Sequence, residues 1–287
     1  MKCKFLWPMV LLAVTLSKSA LAQTGPLNPG GNSANSVSLR YKFIPGNVYR
    51  YKVSIAFELK TPGDGQTSLT TSTVTGSFEN TVKSVDSNGD ATLSGQMHDV
   101  TDTVAINGQQ VQLPQSVVDN LELTSTEVLS PLGKIISISQ ASPSSGGASS
   151  MMGPSTMFAY ATLPDHPVKI NDTWRTPVVF PTMPDPMYVK LALIGLDTSS
   201  GSTVASLAAK IFLQTTTKPA AGGGRIVYMN MTGSGSEKFD IDRGMITNMD
   251  LNLYGLMSTN APSLDGSSDG NVGNMNITLS MDSTSNN

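Results

Sequence analysis

The chain has 287 residues, 18 basic against 21 acidic, for a net charge of −3. Only 14% of residues are charged, while Ser, Thr, Asn and Gly are plentiful. That mixture suits strands and turns, and without a basic run it excludes a surface that tracks nucleic-acid phosphates.

Met1-Lys2-Cys3-Lys4 is a basic start, Phe5 to Leu16 an apolar run, and Ala20-Leu21-Ala22 a small-x-small site. This order predicts a secretory signal peptide over residues 1–22, cleaved after Ala22, and a periplasmic or secreted mature protein. The run is shorter than the ~20 apolar residues a permanent membrane helix needs, and no later segment approaches that length. Cys3 is the only cysteine, and it precedes the apolar run, which argues against a lipid anchor. The mature chain is therefore expected to lack cysteine, and with it disulfides, thiolate nucleophiles and thiolate metal ligands. Losing Lys2, Lys4 and Lys18 takes the net charge from −3 to −6.

Residues 23–38 are rich in Gly, Pro, Asn and Ser and read as a flexible leader, with order beginning near Val37. From there to 282 the chain reads as one β-rich domain. Tyr49, Tyr51, Val53, Ile55, Phe57 and Leu59 alternate with polar residues, the period of a long half-buried strand. Pro62-Gly63-Asp64-Gly65 turns the chain. Thr70 to Val85 and Ala91 to Val104 are strands around Ser87-Asn88-Gly89, because Asn-Gly supplies the positive φ of a tight hairpin. Asn107-Gly108 is a second tight turn. Pro114 to Leu121 is expected to form a helical turn or two. Glu122 to Leu129 and Lys134 to Ser139 are strands around Pro131-Leu132-Gly133. Residues 140–150 read as a linker, and Met151 to Thr162 is the best helix candidate, interrupted at its start by Gly153 and Pro154.

The second half follows the same plan. Val168 to Trp174 resembles the approach to the Tyr49 strand. Met187 to Leu196 pairs with Val204 to Leu213 around Ser199-Ser200-Gly201. Arg225 to Asp240 pairs with Met245 to Met257 around Asp242-Arg243-Gly244. Residues 40–139 and 165–258 thus read either as two divergent repeats or as one meander of similar hairpins. Val272 to Met281 alternates again, and 283–287 should fray. The expected fold is mainly β: a long antiparallel meander forming a curved sheet or half-barrel, with one or two short helices. An outer-membrane barrel is disfavoured by too few aromatics for two girdles and by the Ser-Asn-Asn end.

Chemical motifs are sparse. His98 and His166 lie far apart in sequence, with no cysteine to complete a metal site. Gly266-Ser267-Ser268-Asp269-Gly270 fits a nucleophile-elbow string but lies in a polar loop rather than at a strand-to-helix turn. Asp86-Ser87-Asn88-Gly89-Asp90 alternates oxygens like a calcium loop, yet its glycine and its later positions do not fit one. Gly222-Gly223-Gly224 precedes a strand, so it cannot cradle phosphate at a helix N-terminus. No metal, cofactor or catalytic group is implied. Asn171, Asn230 and Asn276 head glycosylation sequons, relevant only in a eukaryotic source. The 15 methionines are the odd enrichment; they can fill a core, line an adaptable apolar pocket, or bind Cu(I).

Phe43-Ile-Pro-Gly46-Asn-Val-Tyr49-Arg-Tyr51, the Val85 to Leu93 hairpin, and Leu163-Pro-Asp-His-Pro-Val168 through Trp174 resemble a family of uncharacterised exported bacterial proteins defined by a domain of unknown function. The resemblance covers roughly residues 40 to 258 and implies a fold, not an activity. In architecture alone the chain is similar to periplasmic lipoprotein carriers, whose curved sheet is closed by helices over an apolar cavity.

Three functions follow from these readings. The first is a non-enzymatic binding protein holding an apolar small molecule or lipid on the sheet, with Met151, Met152, Met157 and Phe158 as a lid and Tyr51, Val53 and Trp174 near the site. The second is a structural or adhesive envelope module with a protein partner. The third is a hydrolase drawing on Asp165, Asp172, Asp240 or Asp242, although no pair of these has a spacing that compels acid–base work.

Overall fold

The computed structural model describes residues 36–62, 66–112, 124–140, 162–178, 187–216, 228–258 and 272–284. The helix candidates at 114–121 and 151–162, and the linker at 140–150, fall essentially outside these residues. The described chain forms twelve strands in one curved, open antiparallel sheet. They are β1 (Val48–Pro62), β2 (Thr67–Val85), β3 (Ala91–Ile106), β4 (Gln109–Val111), β5 (Ser125–Leu129), β6 (Ile135–Gln140), β7 (Thr173–Val178), β8 (Met187–Asp197), β9 (Val204–Thr216), β10 (Tyr228–Asp240), β11 (Met245–Ser258) and β12 (Val272–Ser283).

The order across the sheet is β6-β5-β3-β2-β1-β12-β11-β10-β9-β8-β7, with β4 paired to β3. First and last strands therefore meet at the centre, from Tyr51 opposite Ser283 to Lys60 opposite Asn274. Two arms extend outward from that seam. The expected turns form where the sequence places them. Asn107 and Gly108 both take positive φ, 52° and 79°, which fits the mirror-image turn of a two-residue hairpin.

The arms match in hydrogen-bonding detail. Before β1, Gly46 N–H donates to Val82 O and Val82 N–H to Asn47 O; before β7, Asn171 N–H donates to Leu193 O and Leu193 N–H to Asp172 O. The ladder slips between Val82 and Ser84 on β2, and between Leu193 and Gly195 on β8. Asp86 caps the following turn through Asn88 N–H, and Asp197 does the same through Ser199 N–H, both at 2.8 Å. Further out, Leu93 faces Glu127 as Leu207 faces Glu237. Each glutamate strand then ends in a turn whose glycine, Gly133 or Gly244, has positive φ.

The inner face is apolar because alternate residues of every long strand point to it. It is closed at one end by an extended segment, Val37 to Phe43. Val37 bridges Val168, Tyr41 N–H donates to Pro131 O, and Lys42 N–H donates to Gly244 O. The segment thus ties the β5–β6 turn to the β10–β11 turn. Leu39 is fully buried, and the Tyr41 ring stacks on Phe43 and meets Phe239 edge-on at 5.3 Å.

Candidate ligand-binding face

Burial changes along the inner face. On β1, Tyr51, Val53 and Ile55 are at most 5% exposed, whereas Phe57 and Leu59 are only half-buried. On β11, Met249 is buried, while Leu251 and Leu253 are half-buried. The plug segment with Leu163 and Val168 fills the first end, among Phe78, Met97, Leu193, Leu207, Phe239 and Met281. The other end, the trough of the sheet, is lined by a second buried cluster: Val189, Leu191, Ala209, Ile211, Leu213, Met229, Met231 and Met275, each at most 8% exposed. Phe57, Leu59, Leu251, Leu253 and Ile277 are half-buried and pack against it.

Glycines shape the trough. Rows running straight across the sheet place Gly233 between Ile211 and Leu253, and Gly235 between Ala209 and Leu251. A Cβ at Gly235 would meet the Leu251 side chain and the Asp250 carbonyl, and one at Gly233 would meet the Leu253 side chain and the Asn252 carbonyl. The missing side chains let both leucines lean over β10. Methionine, unbranched and polarisable, lines the same region at Met229, Met231 and Met275, a composition that repacks around varied shapes.

Trp174 stands at the junction, packed against both the plugged end and the trough. Its indole Nε1–H donates to Thr162 O at 3.0 Å, which satisfies the polar end of a half-buried ring. Tyr51 and Val53 are enclosed at the plugged end. Met151, Met152, Met157 and Phe158 lie outside the described residues, so the structure brings Trp174, Tyr51 and Val53 to one face and does not describe the lid.

Two carboxylates are buried on this face, and the sequence reading did not single them out. Glu127 is 2% exposed and accepts from Asn80 Nδ2 at 3.1 Å. Glu237 is 4% exposed, between Leu207 and Met249 in its row, and its Oε2 makes no hydrogen bond. Burial pushes the Glu237 carboxyl up from 4.5 to about 7. Burial, and then the charge of Glu237, also hold the Tyr41 hydroxyl well above its ordinary 10. The face Glu237 shares with Met231 and Phe239 on β10 was a readable signal: a glutamate on the inward register of an alternating strand.

The carboxylates considered for hydrolysis serve turns. Asp240 accepts from Asp242 N–H, Arg243 N–H and Ser202 Oγ. Asp242 accepts from Thr203 N–H at 2.6 Å, and Asp172 from Lys169 N–H at 2.8 Å. Asp165 pairs with His166 at 2.8 Å on an exposed loop. The calcium-like Asp86 accepts from the amides of Asn88 and Asp90. His98 is exposed on the outer face, opposite Ser77 at a bulge. Among the described residues no group of three His, Cys, Asp or Glu could hold a metal ion, and no helix is long and apolar enough to cross a membrane.

No family model and no curated protein matches the chain. Among solved structures it is similar to a chain described under "Lipid-protein interactions in lipovitellin", with a TM-score of 0.55 and 12% identity. The likeness covers 85% of this chain and 26% of the lipovitellin chain, so this protein spans about a quarter of that chain's length. At that identity it is a likeness of fold: a large curved antiparallel sheet.

Proposed function

We infer that this is an exported, non-enzymatic binding protein that holds an apolar or lipid-like molecule in the trough of its sheet. The observation that carries this reading is one continuous apolar face, filled by Val37–Phe43 at one end and, towards the other, leaving Phe57, Leu59, Leu251, Leu253 and Ile277 only half-buried beside a second apolar cluster. An apolar chain laid on that end would gain about 25 cal/mol for each Å² it removes from water. The fold shared with a chain studied for lipid–protein interactions supports it. So does the use of the candidate catalytic aspartates as turn caps. The matched hydrogen bonds of the arms support reading 40–139 and 165–258 as divergent copies of one unit. The predicted signal peptide supports a periplasmic or secreted location.

The test is native mass spectrometry of residues 23–287, purified without detergent from their own envelope, followed by organic extraction. A discrete co-purifying lipid or other apolar mass is expected. A clean apo mass, with no quenching of Trp174 by brominated fatty acid, would overturn the reading. Trp174 reports alone, because the other tryptophan, Trp7, lies in residues 1–22 and is absent from 23–287.

A further inference from the structure

The outer face of the sheet changes character at β7–β9. Arg175, Lys190 and Lys210 stand directly opposite one another across these strands, and all three are exposed. Their row continues over Ser234, Asn252 and Thr278 without a carboxylate. Among the described residues the flanking rows carry Asp250 on β11 and Glu58 on β1, which Lys60 already neutralises at 2.9 Å. Like charges facing each other across a strand pair cost sheet stability, so Lys190 opposite Lys210 is not explained by folding. In a chain with net charge −3 the band also runs against the overall balance.

One row nearer the open end of the trough, the same face is apolar. Tyr188 and Phe212 are opposite each other at 38% and 52% exposure, and Tyr254, two strands on, is 62% exposed. The Arg175 guanidinium lies 4.1 Å from the centroid of the Tyr188 ring, joining the two rows into one surface. Rings with a polar tip sit at the headgroup level of a bilayer, an exposed Phe enters its apolar layer, and Arg and Lys meet anionic headgroups. The backs of these strands are the trough floor at Val189, Leu191 and Ile211.

We propose that the Arg175–Lys190–Lys210 band and the Tyr188–Phe212–Tyr254 row dock the protein on an anionic lipid surface. Docked there, the strands that meet the membrane carry the trough floor on their reverse side. This surface lies on the outer face alone and is independent of any cargo.

The experiment floats the mature protein with phosphatidylcholine vesicles, with and without phosphatidylglycerol. Flotation is expected only with phosphatidylglycerol and should weaken as salt is added. Lys190→Gln with Lys210→Gln should weaken binding about 30-fold, the equivalent of ~1 kcal/mol for each charge. Phe212→Ser with Tyr254→Ser should abolish flotation. Lys83→Gln with Lys134→Gln removes the same charge from the other arm and should leave binding unchanged. Circular dichroism and melting qualify each variant, and if the aromatic pair fails to fold, the two lysine pairs decide. Equal binding to neutral vesicles overturns the proposal. So does equal loss in the control pair, or retention of an envelope protein with no flotation at all. A protein that floats but yields no extractable lipid and shows no Trp174 quenching leaves docking standing and sinks the cargo reading. One that carries lipid but does not float sinks docking alone.

Discussion

Replacing Glu237 by Gln tests how the inner face treats charge. In the folded protein burial holds this carboxyl protonated up to about 7, against 4.5 in its ordinary state. Between those values the unfolded chain has released the proton and the folded chain has not. Raising pH through that window therefore favours unfolding, and above about 7 the loss is complete. At ~1.4 kcal/mol per pH unit, the interval amounts to about 3 kcal/mol. Glu237→Gln cannot ionise, so its stability relative to wild type should rise by about 3 kcal/mol between about pH 4 and about pH 8. A pH-independent offset of about 1–3 kcal/mol from burying the amide does not affect that difference. Urea denaturation of both proteins at the two pH values measures it, and slopes common to all other carboxylates cancel. A wild-type-minus-variant difference that does not change with pH would refute the reasoning: it would mean the carboxylate is solvated or paired.

Other substitutions probe the plug, the glycines and the turns. Leu39→Ala removes a fully buried side chain from the plug segment and should cost about 2–5 kcal/mol in urea denaturation; a near-zero change would mean the segment is not part of the cooperative core. Gly235→Ala drives a methyl into Leu251 and the Asp250 carbonyl and should cost about 1–3 kcal/mol. Gly195→Ala, whose new Cβ would have only the Ser206 Cβ at 4.0 Å, should stay within about 0.5 kcal/mol of wild type; similar melting of the two variants would contradict the packing described. Asp240→Ala strips a turn of three donors' acceptor and should cost about 1–3 kcal/mol while leaving any co-purifying lipid in place. Loss of lipid in a still-folded Asp240 variant would point to a role beyond the turn.

The strands were legible because nearly every one alternates on a half-buried face, and because Asn88-Gly89, Gly133, Gly201 and Gly244 mark turns by backbone need. The plug was half visible. Val37, Leu39, Tyr41 and Phe43 alternate with Ser38, Arg40 and Lys42 like a strand, yet only Val37 makes a ladder-type bridge. Its partners are two turns that lie far apart in sequence, and periodicity cannot name those. Glu127 and Glu237 sit on inward register positions, where a count of apolar residues passes over them. The pairing of β1 with β12 was not legible, because a period of two fixes which face is buried and leaves the neighbour open. Trp174 was placed near the site by its type and position; its seat between the plugged end and the trough depends on the sheet's curvature.

The central seam sets an order of assembly. Each arm is a run of hairpins between near neighbours in sequence, so each can zip locally and fast. The arms join only when the last strand, Val272–Ser283, inserts between β1 and β11. Until then both inner strands present open edges ready to pair with another chain. Because synthesis runs from the N-terminus, the closing element is the last of the twelve strands to be made. Linking Thr284 to Ser36 and opening the chain between β6 and β7 would turn the same sheet into one meander, in which every ladder except β3–β5, which skips the short β4, joins strands consecutive along the chain.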